Sequence, residues 1–99
     1  MTGHQNTSRQ QAEAIAIQAL GFLAGNPQRL ARFLQLSGLD PAGIRAAASD
    51  SAFLAGVLEH VTSDEALLVA FAAEAAIKPE DIARARAILS GPAWEREVP

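Results

Sequence analysis

The sequence predicts an all-α fold, a single compact bundle of five or six short helices, and three observations predict it. Apolar residues recur at three- and four-residue spacing through most of the chain, and no stretch alternates apolar with polar residues as a strand would. Helix starts and stops are spelled out by Asn26-Pro27, Asp40-Pro41, Gly25, Gly38 and Gly91-Pro92. At 99 residues, 49% hydrophobic and a net charge of −3, the chain has the size of one domain and is too apolar for a disordered one.

The first helix is expected to begin near Ser8, because Ser8 and Gln11 have capping-box spacing. Residues 1–7 are then a disordered N-terminus, residues 8–91 the bundle and residues 92–99 an irregular tail. Ala12, Ile15, Ala19, Phe22 and Leu23 form one stripe, and Gly25 ends the helix. Asn26 followed by Pro27 reads as an N-cap with proline in the first turn, where its missing donor costs nothing. The second helix turns Leu30, Phe33 and Leu34 inward and stops at Gly38. Asp40-Pro41 opens a short third element that buries Ile44 and Ala47, kept to a turn or two by Gly43.

Asp50 caps the fourth helix, whose apolar face is Phe53, Leu54, Val57, Leu58 and Val61. Thr62 and Glu65 have the spacing of a second capping box. The fifth helix, about residues 64–76, is apolar nearly all round, so it is expected at the centre of the bundle or beneath a partner. Pro79 opens the sixth, with Ile82, Ala85 and Leu89 inward and Glu80 and Arg84 outward as an i,i+4 pair. A shift of 38 residues superimposes Asn26 on Asp64, Phe33 on Phe71 and Pro41 on Pro79, which suggests two similar three-helix halves.

Composition narrows the function. No cysteine is present, so disulfides, thiolate metal sites and thiol catalysis are absent together. The polar start lacks the features of a signal peptide. The longest apolar run, residues 66–73, is far shorter than a membrane span, so a cytoplasmic protein without membrane contact is expected. Mild acidity weighs against a nucleic-acid partner.

Residues 14–24, Leu30-Ala31-Arg32-Phe33-Leu34, Ser37-Gly38-Leu39, residues 53–58, residues 63–68 and Phe71-Ala72-Ala73-Glu74 together resemble a family of short, uncharacterised bacterial proteins containing a domain of unknown function. The resemblance spans about residues 12 to 90. It implies a compact all-helical cytoplasmic protein and brings no catalytic residue, ligand or partner with it.

Candidate chemistry is sparse, and no enzyme, cofactor or metal is expected. His4 has no companion ligand, and His60 diverges from its neighbour Glu59 by about 100° on a helix, so a capping or dipole role fits it better. Asp64-Glu65 and Glu80-Asp81 fall in first helical turns, where the macrodipole favours acids. Ser37, Ser49, Ser51, Ser63 and Ser90 lie at helix ends without a nucleophile elbow.

The expected function is therefore a non-enzymatic protein–protein interaction module, with self-association as a homodimer one form of it. Ile17, Leu36 and Ile88 lie off or at the margins of their core stripes, and with Trp94 in the tail they are the candidate partner contacts. The alternative is a helix-turn-helix DNA-binding regulator over residues 72–86, with Lys78, Arg84 and Arg86 on phosphates. Glu80 and Asp81 at the head of that second helix count against it.

Overall fold

Capping spacing at Ser8 does not set the first helix boundary. In the computed structural model, which describes residues 3–90, helix α1 is continuous over Gly3–Ala24. A cap contributes about 1 kcal/mol, whereas each residue added to an existing helix gains a backbone hydrogen bond at modest cost. Propagation therefore carries the helix back past Ser8. Its other end lies where expected, with the Gly25 N–H donating to the Gly21 carbonyl at 2.9 Å.

Helix α2 (Pro27–Ser37) follows its sequence signals closely. The Asn26 side-chain oxygen accepts from the Gln28 and Arg29 N–H groups at 2.9 and 3.2 Å. Gly38, left-handed at φ 72°, closes the helix by donating to the Leu34 carbonyl. A 3₁₀ turn (Pro41–Gly43) leads into the four-residue α3 (Ile44–Ala47), where Ile44 and Ala47 are half-buried and not core. Asp50 caps α4 (Ser51–Thr62) through the Ala52 N–H at 2.9 Å.

Two expected details of the second half are corrected. Thr62 is the last residue of α4, its hydroxyl donating back to the Glu59 carbonyl; the cap of α5 (Glu65–Ala75) is Asp64, which accepts from the Leu67 N–H at 3.2 Å. A helix that runs on to Thr62 removes it from the capping position and leaves the stronger Asp there. On α6 (Pro79–Ser90), Arg84 meets Asp81 at 4.0 Å instead of Glu80, since residues three apart on a helix are as close as residues four apart.

The bundle centres on α1, α4 and α6, which pack extensively against one another. Their shared core is Leu23, Val57, Leu58, Val61, Ile82, Ala85 and Leu89, closed by Ala12, Ala16 and Ala19 of α1. These three alanines are at most 1% exposed. Small side chains at a crossing let helix axes approach to the short end of the usual 8–10 Å. Helix α2 joins this centre through Phe33, and the Arg29 guanidinium lies 4.4 Å above the Phe22 ring.

Helix α5 is not central. It buries only Phe71 and Ala72, with Phe71 stacked obliquely on Phe22 at 5.3 Å between centroids. Leu67, Leu68, Ala70 and Ala75 are half-buried, and Val69 is 55% exposed. The physical reason is in the side chains. Five of its eleven residues are alanine, which reads as apolar but removes little area from water when buried.

The 38-residue shift places matching features of α2 and α5 on one another. Asn26 and Asp64 cap α2 and α5 from extended backbone, and Gly38 and Ala76 both close them in the left-handed region. Phe33 and Phe71 are the large core residues of the two helices. The third elements diverge, since Gly43 stands where α6 has Asp81 and the helix there is cut short.

Candidate functional site

Several polar side chains in the described residues are engaged in local structure. Asn26, Asp50 and Asp64 are N-caps. Ser49 and Ser63 hydroxyls donate to the Ala46 and His60 carbonyls. Glu13 accepts from Ser51 at 3.4 Å and pairs with Arg9 at 3.8 Å, tying the start of α4 to α1. Among the described residues no cluster of three His, Asp or Glu side chains could hold a metal ion.

His60 lies in the last turn of α4, as expected, but its role differs. Its ring packs edge-on to Phe33 at 5.1 Å, and Phe33 in turn meets Phe53 at 5.9 Å. Burial lowers the His60 pKa from 6.5, Arg32 lowers it further, and Asp64 opposes both. A cation paired with the helix dipole would be shifted the other way. His60 is a packing residue of an aromatic cleft.

Among the described residues, surface grooves open beside several of the candidate residues. One, about 500 Å³, lies between α1 and α6 and is lined by Ile15, Ile77 and Ile88, with Gln11, Gln18, Asp81 and Arg84 among its polar residues. A second, about 380 Å³, is the aromatic cleft of Phe33, Phe53 and His60 between α2 and α4. The third, about 430 Å³, lies beside Ile17 and Arg45.

The candidate partner contacts are not gathered by any of these grooves. Ile88 lines the first, Leu36 the second and Ile17 the third. Leu36 and Ile17 are 68% and 52% exposed, single aliphatics on separate faces. Trp94 and the tail 92–99 lie outside the described residues. Two residues were missed by reading single helices: Ile15, assigned to the core stripe, is half-buried in the α1–α6 groove, and Ile77 joins it from the loop before α6.

The helix-turn-helix segment does contain a tight turn, at left-handed Ala76. Its second helix, however, buries Ile82, Ala85 and Leu89, and its exposed positions are Pro79, Glu80, Ala83, Arg84, Ala87 and Ser90. Lys78 lies before the helix, and Arg84 and Arg86 point about 200° apart around it. Only one basic side chain therefore stands on the outer face, beside an acid.

The outer side of α5 carries a further exposed aliphatic, Val69, 55% exposed. At 100° per residue, Ala66, Val69 and Ala73 share one face with half-buried Ala70 at its margin, opposite Leu68, Phe71 and Ala75. Glu65 and Glu74 border that face on its two edges. No helix among the described residues is long and apolar enough to cross a membrane. Residues 9–92 match a family whose description is "Protein of unknown function (DUF3572)", and the chain belongs to that family. No curated protein and no solved structure matches the chain.

Proposed function

We propose that this member of the DUF3572 family is a non-enzymatic protein–protein interaction module that docks a helix of another protein on the outer face of α5. The observation that carries the reading is the mismatch between what α5 is made of and what it buries. It is apolar around nearly its whole circumference, and while Phe71 and Ala72 are buried and Leu67, Leu68, Ala70 and Ala75 are half-buried against the core, Val69 with Ala66 and Ala73 stands exposed. The uncovered side presents Ala66, Val69 and Ala73, shallow enough for a second helix to approach closely.

Charge selects the kind of partner. Glu65 and Glu74 border the face on opposite edges, so a second copy laid across it would bring acid against acid. An amphipathic helix with an apolar stripe and lysine or arginine on both margins would pair with them. Eleven residues make a helix only about 16 Å long. A contact of that length falls at the small end of specific interfaces and suits a transient complex.

The test is a photo-crosslinker placed at Val69 in the native cell, with the same group at Glu80 as control. A discrete partner captured from Val69 alone, bound again by purified protein, weakened by salt and abolished by Val69→Glu with the fold intact, supports the reading. Identical products from both positions, or a purified chain that doubles its mass through this face, overturns it.

A further inference from the structure

We infer that the face shared by α2 and α4 pairs with a second copy of this chain across a two-fold axis, each copy setting Leu36 against the aromatic side of α4 in the other. Leu36 is the most exposed large aliphatic residue among those described, at 68%. It stands at the edge of the cleft that holds Phe33, Phe53 and His60, where the Phe33 ring touches the other two. Leucine beside a row of partly exposed rings makes a patch, and a patch on a helix pair is a surface for another helix.

The shape of α4 fits a leucine. Phe53, Gly56, Val57 and His60 stand at i, i+3, i+4 and i+7, the four positions that bound a hole for the knob of a facing helix. Val57 is fully buried and forms the floor, Phe53 and His60 are half-buried walls, and Gly56 is exposed. A Cβ built on Gly56 meets nothing within 4 Å, so packing inside the chain does not require glycine there. Inside a helix glycine costs about 1 kcal/mol relative to alanine. What it provides is close approach of another chain.

Charge selects the second copy. Arg32 is exposed on α2 one turn before Leu36, and it lies close enough to His60 to lower its pKa. Glu59 is exposed on α4 and lines the cleft. One wall of the face is therefore basic and the other acidic. A two-fold axis running along the cleft lays α2 of each copy over α4 of the other, with residues of one level kept together. Phe33 meets His60, so Arg32 and Glu59 share a level, and each Arg32 faces the Glu59 of the other copy. The pair forms twice. A partner with basic margins alone would satisfy one wall and oppose the other. The face is two helices wide and about 16 Å long, at the small end of specific interfaces, so the dimer is weak and reversible.

Sedimentation equilibrium of the full chain, from about 1 μM to about 1 mM, reads this association directly. The apparent mass is expected to rise with concentration toward twice the monomer value. Leu36→Gln should raise the dimer Kd about tenfold or more. Gly56→Gln should do the same by filling the hole, without loss of folding stability, since glutamine is the better helix former. Arg32→Glu and Glu59→Arg should each weaken the dimer about tenfold. An equal mixture of those two variants should recover the parent association, because both pairs in the mixed dimer again join opposite charges. Val69→Glu should leave the association intact, which separates this inference from the α5 reading. A mass that stays at the monomer value throughout overturns the inference. So does a dimer indifferent to the Leu36 and Gly56 variants, one lost in Val69→Glu, or a mixture no stronger than either charge variant alone.

Discussion

Ala76 is the one non-glycine residue among those described that has a positive φ, at 57° with ψ 43°, and replacing it by glycine should stabilise the protein. An L-residue held in the left-handed region costs about 1–2 kcal/mol relative to a right-handed one. Glycine removes that cost but loses about 0.4–1 kcal/mol through the greater freedom of the unfolded chain. The Ala76 methyl is exposed, so no packing is lost, and the backbone N–H that donates to the Ala72 carbonyl is retained. The net gain for Ala76→Gly is therefore about 0.5–1 kcal/mol. In a domain of this size that raises Tm by about 2–8 °C.

The reciprocal change provides the control, because Gly38 closes α2 as Ala76 closes α5. A Cβ built on Gly38 meets nothing within 4 Å, so Gly38→Ala should lose about the same amount through backbone strain alone. Urea unfolding measures both, with the midpoint moving and the slope unchanged. The double variant should return close to the parent if each effect is local to its own turn. A stabilised Gly38→Ala, or an Ala76→Gly that loses more than about 0.5 kcal/mol, would refute the shared closing geometry of the two helices.

Further outcomes follow from the same contacts. Asp64→Ala should destabilise by about 1 kcal/mol, and Thr62→Ala by less than about 0.5; the reverse order in urea melts would restore Thr62 as the cap of α5. Phe71→Ala should cost about 3–5 kcal/mol through the cavity it opens beside Phe22, against about 0.5 or less for Val69→Ala. Equal losses would place the outer face of α5 in the core. The His60 pKa is lowered in the folded state, so the unfolded chain binds the extra proton more readily around 6.5. Its contribution is complete above 6.5 and declines as pH falls through that value. In His60→Gln the urea midpoint should fall less on acidification than in the parent, and parallel pH profiles would contradict the burial against Phe33.

Much of the fold was legible because it is written in short-range chemistry. Asn26, Asp50 and Gly38 act within four residues of themselves, and the structure finds each in the place its residue type requires. The stripes of α4 and α6 were legible for the same reason, since a helix with one apolar face and one polar face states its own orientation. Ala16 was harder to see. It is completely buried at the centre, but alanine carries too little hydrophobic contrast to mark a face.

The candidate site was less legible because it depends on pairs of helices far apart in sequence. Ile15 belongs to the core stripe when α1 is read alone; only with α6 beside it does the gap above Ile15 and Ile88 exist. Helix α5 shows the complementary difficulty. Apolar all round, it states no orientation, and its position is settled by what the other helices require. Helices α4 and α6 both pack on α1 with large side chains, and α5, which links them in the chain, has Phe71 as its one bulky core residue. The segment that looked most buried by composition is thus held outside by its neighbours' stronger claims on the centre. That same arrangement leaves Val69 facing water on the side of α5 bordered by Glu65 and Glu74.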